Sequence, residues 1–281
     1  MIIVKVWGGI GNQLFQYVFG QYLRFRYKQE VCYDDSSYLS TDKLRNSELS
    51  ALDGSIVFNN KCTFSRYRGV KNRLLRFLFQ LNPKHHYVSE SNMQFPENYE
   101  VSHIYFFQGY WQDVKYYQWL KTNASGFSLK IKEMPQELTS LQTEIRASNN
   151  SVCLHVRRGD YFIPQNIGIY GVCDAAYYEK TLNYMSRQIK DMEVFVFSDD
   201  IDWIKTNLKF SCPYTIVPNY DVPQFAYISL MSECKNYIIS NSSFSWWGAV
   251  IGEQEQSCVI CPKRWRKDTA DSPALANWIK L

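Results

Sequence analysis

This sequence of 281 residues lacks any apolar run that approaches membrane-spanning length, which is about 20 residues. It also lacks the features of a signal peptide. The opening Met1–Val6 segment has no basic start and runs straight into a glycine turn. These absences argue against membrane-spanning and secreted proteins, so we expect a cytoplasmic chain.

Strong net charge and zinc-binding cysteine patterns are also missing. With 31 Lys and Arg against 27 Asp and Glu, the net charge of +4 is too small to indicate a nucleic-acid-binding protein. The eight cysteines include one Cys-x-x-Cys pair, Cys258 and Cys261, but no second pair completes a zinc site. We therefore expect no nucleic-acid partner.

One segment departs from this charge balance. No acidic residue occurs between Asp53 and Glu90, whereas residues 61–84 carry seven lysines and arginines. Leucines recur there at helical spacing beside several of the basic residues, which predicts an amphipathic helix. Such a helix either packs on the core or attaches peripherally to the anionic surface of the inner membrane.

Short apolar runs alternate with amphipathic stretches along much of the chain. In the second half, strands are predicted at Val152–Val156, Val194–Phe197, Tyr214–Val217, Tyr237–Ser240 and Cys258–Cys261. Helices are predicted at Ala175–Ile189, Ile201–Thr206, Gln224–Glu233 and Phe244–Ile251. The first half begins with a strand (Ile2–Trp7), a helix (Gln13–Tyr27) and a strand (Val31–Tyr33), and a helix is expected at Glu137–Ala147. This alternation predicts an α/β protein with two Rossmann-like domains, 1–148 and 149–281, facing a cleft.

The first candidate site is the turn Gly8–Gln13. Open α/β sheets bind ligands beyond the carboxyl ends of their strands, and glycines such as Gly9 and Gly11 let the backbone approach a phosphate or sugar. A dinucleotide fingerprint would need glycine where Leu14 stands, although Asp34 lies where a ribose-binding acid is expected. The turn alone fits either a ligand site or a structural turn.

The second candidate site is the loop His155–Tyr161, which places Arg157 and Arg158 directly after a buried strand. Buried guanidinium groups are costly without anionic partners. A pyrophosphate is a suitable partner, because each planar fork binds phosphate oxygens and offsets charge on a leaving group. The alternative is an internal ion pair with Asp160.

Carboxylates follow the next predicted strand, at Asp199 and Asp200. The pattern Asp200-x-Asp202 imitates a DxD metal motif, but a carboxylate at the start of a helix is more often a cap. A carboxylate can also accept hydrogen bonds from both N1–H and the exocyclic amine of guanine, which would select GDP.

The fourth candidate site, residues 240–248, combines hydroxyls and an asparagine between a strand and a helix. Hydroxyl and N–H groups at a helix N-terminus bind anions. N-capping by Ser242 or Ser243 explains only some of these serines. Trp246 and Trp247 are expected in the core.

Together these loops resemble glycosyltransferase family 11, the α-1,2-fucosyltransferases. The matching segments occur in the family's order, at Gly8–Tyr17, Gly109–Gln112, His155–Tyr161, Ser198–Asp200 and Ser240–Gly248. The resemblance implies a GT-B-like fold and inverting transfer of L-fucose from GDP-β-L-fucose to the 2-hydroxyl of a terminal β-galactoside, with no metal cofactor. The acceptor would be an oligosaccharide or lipid-linked glycan of bacterial surface polysaccharide synthesis.

The resemblance also implies roles for individual residues. Arg157 would bind the β-phosphate with Arg158 beside it, and His155 would support the nucleotide. Asp199 or Asp200 would read guanine. The other donor-binding candidates are Gly9, Gly11, Asn12 and Gln13 in the first domain and Asn241, Ser242, Ser243 and Phe244 in the second.

The general base and two alternative functions stay open. Asp160 either takes the acceptor's proton or orients an arginine, and Asp34, Asp35 and Asp113 are further candidates. An NAD-type enzyme built on the glycine turn would leave the twin arginines unexplained. A non-catalytic carbohydrate-binding protein would use the aromatic residues, which are 16% of the chain.

Overall fold

The computed structural model describes residues 1–38, 45–52, 56, 58, 77, 79–92, 99–159, 168, 169, 171–267 and 272–281. These residues form two compact units, Met1–Lys132 and Glu133–Leu281. Asp160 and most of the basic segment (61–76 and 78) lie outside the described residues, so the expectations for them stay predictions. No helix in the described ranges is long and apolar enough to cross a membrane.

In the first unit, the described strands are β1 (Ile2–Lys5), β2 (Val31–Asp34), β3 (His85–Ser89) and β4 (Ile104–Gln108). They form a parallel sheet in the order β2-β1-β4-β3. The described α-helices are α1 (Ile10–Tyr27) and α2 (Val114–Asn123), and 3₁₀ turns occur at Leu49–Ala51 and Glu90–Asn92. The local sequence pattern did not predict β3, β4 or α2.

Helix α1 begins at a glycine turn after β1. Gly8 has a φ of +82°, and a Cβ there would lie 2.9 Å from Asn12 Nδ2, so this turn requires glycine. The helix buries most of its residues, and its Phe19 ring stacks on Trp111 with the ring centroids 4.0 Å apart. This packing joins α1 to the loop that follows β4.

In the second unit, the strands are β5 (Ser151–Val156), β6 (Glu193–Ser198), β7 (Tyr214–Ile216), β8 (Asn236–Ile238), β9 (Val259–Cys261) and β10 (Ile279–Lys280). They form a parallel sheet in the order β10-β9-β8-β5-β6-β7. The described helices are α3 (Gln136–Ala147), α4 (Ala175–Gln188), α5 (Ile201–Asn207), α6 (Gln224–Met231) and α7 (Ser243–Gly252). The predicted elements of this half are confirmed, with small shifts at their ends.

Strand β5 lies near the middle of the second sheet and buries all six of its residues. A near-continuous apolar run of this kind is typical of a parallel strand that is covered on both faces. Its Leu154 and Val156 share a core cluster with Tyr178 and Met185 of α4. The predicted α/β class with parallel sheets is therefore confirmed.

The boundary between the units lies at Lys132/Glu133, earlier than the predicted 148/149, because helix α3 packs with the second unit. Its Leu138 and Ile145 are fully buried. Arg146 Nε donates to Glu233 Oε2 at 2.9 Å, and Gln142 Nε2 donates to Glu233 Oε1 at 2.9 Å. These long-range contacts left no signal in the local pattern.

Candidate active site

Three loops meet at the carboxyl edge of the second sheet. Strand β5 pairs with β6 on one side and with β8 on the other. Because all three strands are parallel, the loop after β5 lies between the loops after β6 and β8. The structure thereby brings the twin-arginine, aspartate and serine loops together at one edge.

Both arginines find carboxylate partners on the loop after β6. Arg157 Nη1 lies 2.9 Å from Asp199 Oδ2, and the backbone N–H of Arg158 donates to Asp199 Oδ1 at 2.9 Å. The Arg157 and Asp199 side chains are 30% and 25% exposed. One carboxylate therefore fixes both the side chain and the backbone of the twin-arginine loop.

Arg158 is fixed by an ion pair and an aromatic ring. Its Nε donates to Asp200 Oδ2 at 3.1 Å, and its Cζ lies 4.0 Å from the centroid of the Trp203 ring. Asp200 Oδ1 accepts from the Trp203 N–H at 3.0 Å, which confirms that Asp200 caps α5. Cation–π stacking and the ion pair together set the plane of the guanidinium group.

Gly159 leaves room for this arrangement. A Cβ at position 159 would lie 2.7 Å from Asp199 Oδ2, closer than real contacts allow. A larger residue would displace the carboxylate from Arg157. The local sequence suggested Asp160 as the arginine partner and did not indicate Asp199 or Asp200, because only the strand order places the two loops side by side.

His155 is buried, and its Nδ1 lies 2.9 Å from Ser240 Oγ. Burial first, and then the charge of Arg157, lower the pKa of His155 to about 3. The ring also packs against Phe244, with the ring centroids 5.6 Å apart. His155 is therefore neutral near pH 7 and links the twin-arginine loop to the serine loop.

The serine loop leads into α7. Ser242 Oγ accepts from the Phe244 N–H at 3.3 Å and caps the helix, while the buried Asn241 donates its amide to the Trp265 carbonyl at 3.2 Å. Ser243 and Phe244 are half-buried. The side chains of Asn241 and Ser242 thus stabilise the loop, and Ser243 lies nearer to solvent at the helix N-terminus. Trp246 and Trp247 are fully buried, as predicted.

In the first unit, the structure commits Gln13 to internal contacts. Its Nε2 donates to the carbonyls of Gly8 and Asn46 at 3.0 and 2.9 Å, and its Oε1 accepts from the Glu48 N–H at 2.9 Å. The side chain is fully buried, and these contacts hold a neighbouring loop. The donor-binding role that the resemblance implies for Gln13 stays a prediction.

The remaining residues of the glycine turn begin helix α1 and contact a segment that is distant in the chain. Gly9 is the N-cap of α1, and Gly11 is buried within its first turn. Asn12 Oδ1 accepts from the exposed Gln112 Nε2 at 2.8 Å. The glycine turn is thus tied to the Gly109–Gln112 segment, although the two are about 100 residues apart.

The Glu90 carboxylate holds the backbone of the Gly109–Gln112 segment, a role that no sequence pattern indicated. Its carboxylate accepts from the N–H groups of Tyr110 at 2.6 Å and Trp111 at 2.9 Å. Trp111 has a φ of 57°, a left-handed conformation that a bulky residue rarely adopts. Glu90 is 20 residues from Tyr110, so no local spacing indicated the contact.

The edge of the second sheet combines two fixed guanidinium groups with the N-terminus of α7. Guanidinium forks and helix N–H groups both bind phosphate oxygens. The neutral His155 adds no charge of its own. The arrangement therefore fits a ligand with one or more phosphate groups.

The model of glycosyl transferase family 11 matches residues 77–281, which is more than half of the chain. The chain belongs to glycosyltransferase family 11. The resemblance drawn from its loops is confirmed, and glycosyl transfer is its class of reaction. This match does not support the two alternatives, an NAD-type enzyme or a non-catalytic binding protein.

This glycosyltransferase is similar to two Escherichia coli enzymes over nearly their whole length. It is 31% identical to the O-antigen biosynthesis glycosyltransferase WbnK, with 98% of each chain covered. It is 28% identical to an α-1,2-colitosyltransferase, with 100% of this chain and 99% of the relative covered.

Solved structures share the fold of this glycosyltransferase. The fucosyltransferase NodZ from Bradyrhizobium matches with a TM-score of 0.55 and 13% identity, covering 89% of this chain and 92% of its own. A mutant of Arabidopsis thaliana FUT1 in complex with GDP matches with a TM-score of 0.53 and 10% identity, covering 94% of this chain and 71% of its own. The predicted GT-B-like fold is confirmed.

Proposed function

We propose that this enzyme transfers L-fucose from GDP-β-L-fucose to the 2-hydroxyl of a terminal β-galactoside, with inversion, in bacterial surface polysaccharide synthesis. The observation that carries the proposal is the twin-arginine site, where carboxylates fix Arg157 and Arg158 at the junction of three loops. Relatives support it, because NodZ crystals were soaked with GDP-fucose and WbnK acts in O-antigen biosynthesis.

In this proposal the second unit binds the donor. The acceptor oxygen attacks the fucose C1, and the bond from C1 to the β-phosphate oxygen breaks with its electron pair leaving on GDP. Negative charge therefore grows on the β-phosphate, where Arg157 stabilises it more in the transition state than in the ground state. Asp199 holds Arg157 in position before the reaction, so the guanidinium group has to move less to reach its place in the transition state.

The other donor contacts belong to the same proposal. Ser243, Phe244 and the N-terminus of α7 would bind phosphate oxygens, and Asp199 or Asp200 would read guanine. Gly9, Gly11 and Asn12 of the first unit would approach the donor. We expect no metal requirement, because the two guanidinium groups provide the positive charge and Asp200 already caps α5 and pairs with Arg158.

Asp160 is our proposed general base. The acceptor hydroxyl must lose its proton as it attacks C1. The sequence left Asp160 divided between this role and orientation of an arginine. Asp199 and Asp200 already orient the arginines, which favours the base role. Asp160→Asn should then lower kcat while calorimetric GDP affinity stays near the wild-type value, and a parallel loss of GDP affinity would contradict the assignment.

A colitosyl group is a second candidate for the transferred sugar, because one relative is an α-1,2-colitosyltransferase. The test is incubation with GDP-fucose or with a colitosyl donor, in the presence of lactose or Galβ1,3GlcNAc. Mass spectrometry identifies the transferred sugar and NMR identifies the linkage. We expect fucose on O2 of galactose. Transfer of only the colitosyl group would favour the second candidate, and transfer to another hydroxyl would refute the linkage.

Peripheral contact with the inner membrane through residues 61–84 is also proposed. It would bring a cytoplasmic enzyme to lipid-linked acceptors. At the described end of this segment, Phe77 and Leu81 are 60% and 61% exposed. Exposed apolar side chains beside basic residues suit binding to an anionic lipid surface.

A further inference from the structure

Two aromatic rings lie together at the carboxyl edge of the first sheet. Trp7 follows β1 and Tyr110 follows β4, and these strands are neighbours. The ring centroids are 5.0 Å apart with an interplanar angle of 44°. Tyr110 is 38% exposed, whereas the adjacent Trp111 is buried. The two rings therefore form a surface feature distinct from the aromatic core.

A buried glutamine and a half-buried glutamate hold the backbones that carry these rings. Gln16, which is fully buried, accepts from the Trp7 N–H at 3.1 Å and donates to the Gly109 carbonyl at 3.4 Å. Glu90 accepts from the Tyr110 and Trp111 N–H groups. These contacts fix the backbone beside each ring, so less of this segment has to be ordered when a ligand binds.

Polar groups near the rings suit a hydroxyl-rich ligand, and the Lys5 ammonium lies 5.1 Å from the centroid of the Trp7 ring. Gln112, two residues after Tyr110, donates its Nε2 to Asn12 Oδ1 at 2.8 Å. Amide groups of this kind donate to and accept from hydroxyls. The carboxylate of Glu90 is turned to the backbone, so its charge is already engaged by N–H groups.

We propose that Trp7 and Tyr110 form the acceptor subsite, and that they bind the apolar face of the terminal β-galactoside. The C–H groups on one face of galactose pack on aromatic rings, while its hydroxyls reach the amide of Gln112. This inference rests on the proposed function, because it assigns the acceptor of that same reaction to the first unit.

The first test is kinetic, with Tyr110→Ala and Trp7→Ala. Each should raise the acceptor KM about tenfold, while the KM for GDP-fucose and the rate of its hydrolysis in water stay near the wild-type values. Tyr110→Phe keeps the ring and should keep the acceptor KM. Phe25→Ala is the matched control, because Phe25 is 40% exposed on α1 outside this subsite. An unchanged acceptor KM in both alanine variants refutes the subsite.

The second test does not depend on turnover. In saturation-transfer NMR with methyl β-galactoside, the wild-type enzyme should saturate the protons of one sugar face, and Tyr110→Ala should lose this signal while its melting temperature is retained. Equal signals in both proteins, or none in the wild type, would overturn the proposal. Failure of GDP-fucose hydrolysis and transfer with a normal sugar signal would instead refute the donor assignment and leave the galactoside subsite supported.

Discussion

Replacing Asp199 with asparagine tests how the twin-arginine loop is held. The carboxylate uses one oxygen for Arg157 Nη1 and the other for the Arg158 N–H, both at 2.9 Å. Asparagine keeps one accepting oxygen and presents an NH₂ group in place of the other. Asp199→Asn therefore loses one of the two contacts and the charge that attracts Arg157.

The expected loss follows from the type of bond. A hydrogen bond to a charged group contributes about 1.5–3 kcal/mol, and this pair is partly exposed, so we take a value near the lower end. About 1.5 kcal/mol of lost transition-state stabilisation corresponds to a roughly tenfold decrease in kcat. GDP affinity should fall by a similar factor, because Arg157 is proposed to bind the β-phosphate.

The assay combines kcat with calorimetric affinities for GDP, GMP and IDP. GMP lacks the β-phosphate, so its affinity should change little in Asp199→Asn. IDP lacks the exocyclic amine of guanine. The ratio of GDP to IDP affinity therefore reports whether the protein accepts a hydrogen bond from that amine. If Asp199 orients Arg157, this ratio stays constant.

Asp200→Asn is the matched control, since the same change is made one residue away. It should weaken the contact with Arg158 and leave the Arg157–Asp199 pair in place. If Asp199→Asn kept its kcat but lost the preference for GDP over IDP, the carboxylate would read guanine and the orienting role would be refuted.

Arg157→Lys keeps the charge but loses the planar fork, so kcat should drop on the order of a hundredfold; near-normal turnover would place the pyrophosphate elsewhere. Transfer should persist in EDTA, and a loss that manganese reverses would contradict the assignment of Asp200 as a cap and arginine partner. Because the pKa of His155 is lowered from 6.5 to about 3, the unfolded chain binds a proton between these pH values that the folded chain does not. The free energy of unfolding should therefore fall as the pH drops, by about 2–3 kcal/mol from this group between pH 7 and 4.5. In thermal melts, the melting temperature of His155→Asn should depend less steeply on pH than that of the wild type. Equal slopes for the two proteins would exclude the buried neutral histidine. Finally, the enzyme should co-sediment with anionic but not neutral liposomes in a salt-sensitive way, and the absence of sedimentation with either would end the proposal of membrane contact.

Local patterns in the chain predicted much of the second unit. Strands such as β5 and β6 are apolar runs, and helices such as α4 show the 3.6-residue period, so both can be recognised from neighbours in sequence. The first unit was harder to predict. Strand β4 lies between β1 and β3 in its sheet, but its short apolar run does not distinguish a strand from a buried helix.

The candidate site shows the same division. Arg157, Asp199 and Ser243 could be proposed as site residues because glycines, charges and hydroxyls follow predicted strands. The resemblance implies a donor-binding role for Gln13, whereas its internal contacts with Gly8, Asn46 and Glu48 could not be predicted from the sequence. Glu90 escaped notice because its partners are 20 and 21 residues away.

From the amino-acid sequence one can predict which loops follow strands and carry polar groups, since short-range propensity and the strand–helix alternation depend on residues close together in the chain. Which of these groups meet depends on the tertiary structure. The order of strands pairs Arg157 with Asp199 and Arg158 with Asp200, and it sets Trp7 beside Tyr110. These contacts join residues 42 to 103 positions apart, and long-range pairing of parallel strands is fixed by burial of the whole sheet rather than by any local pattern.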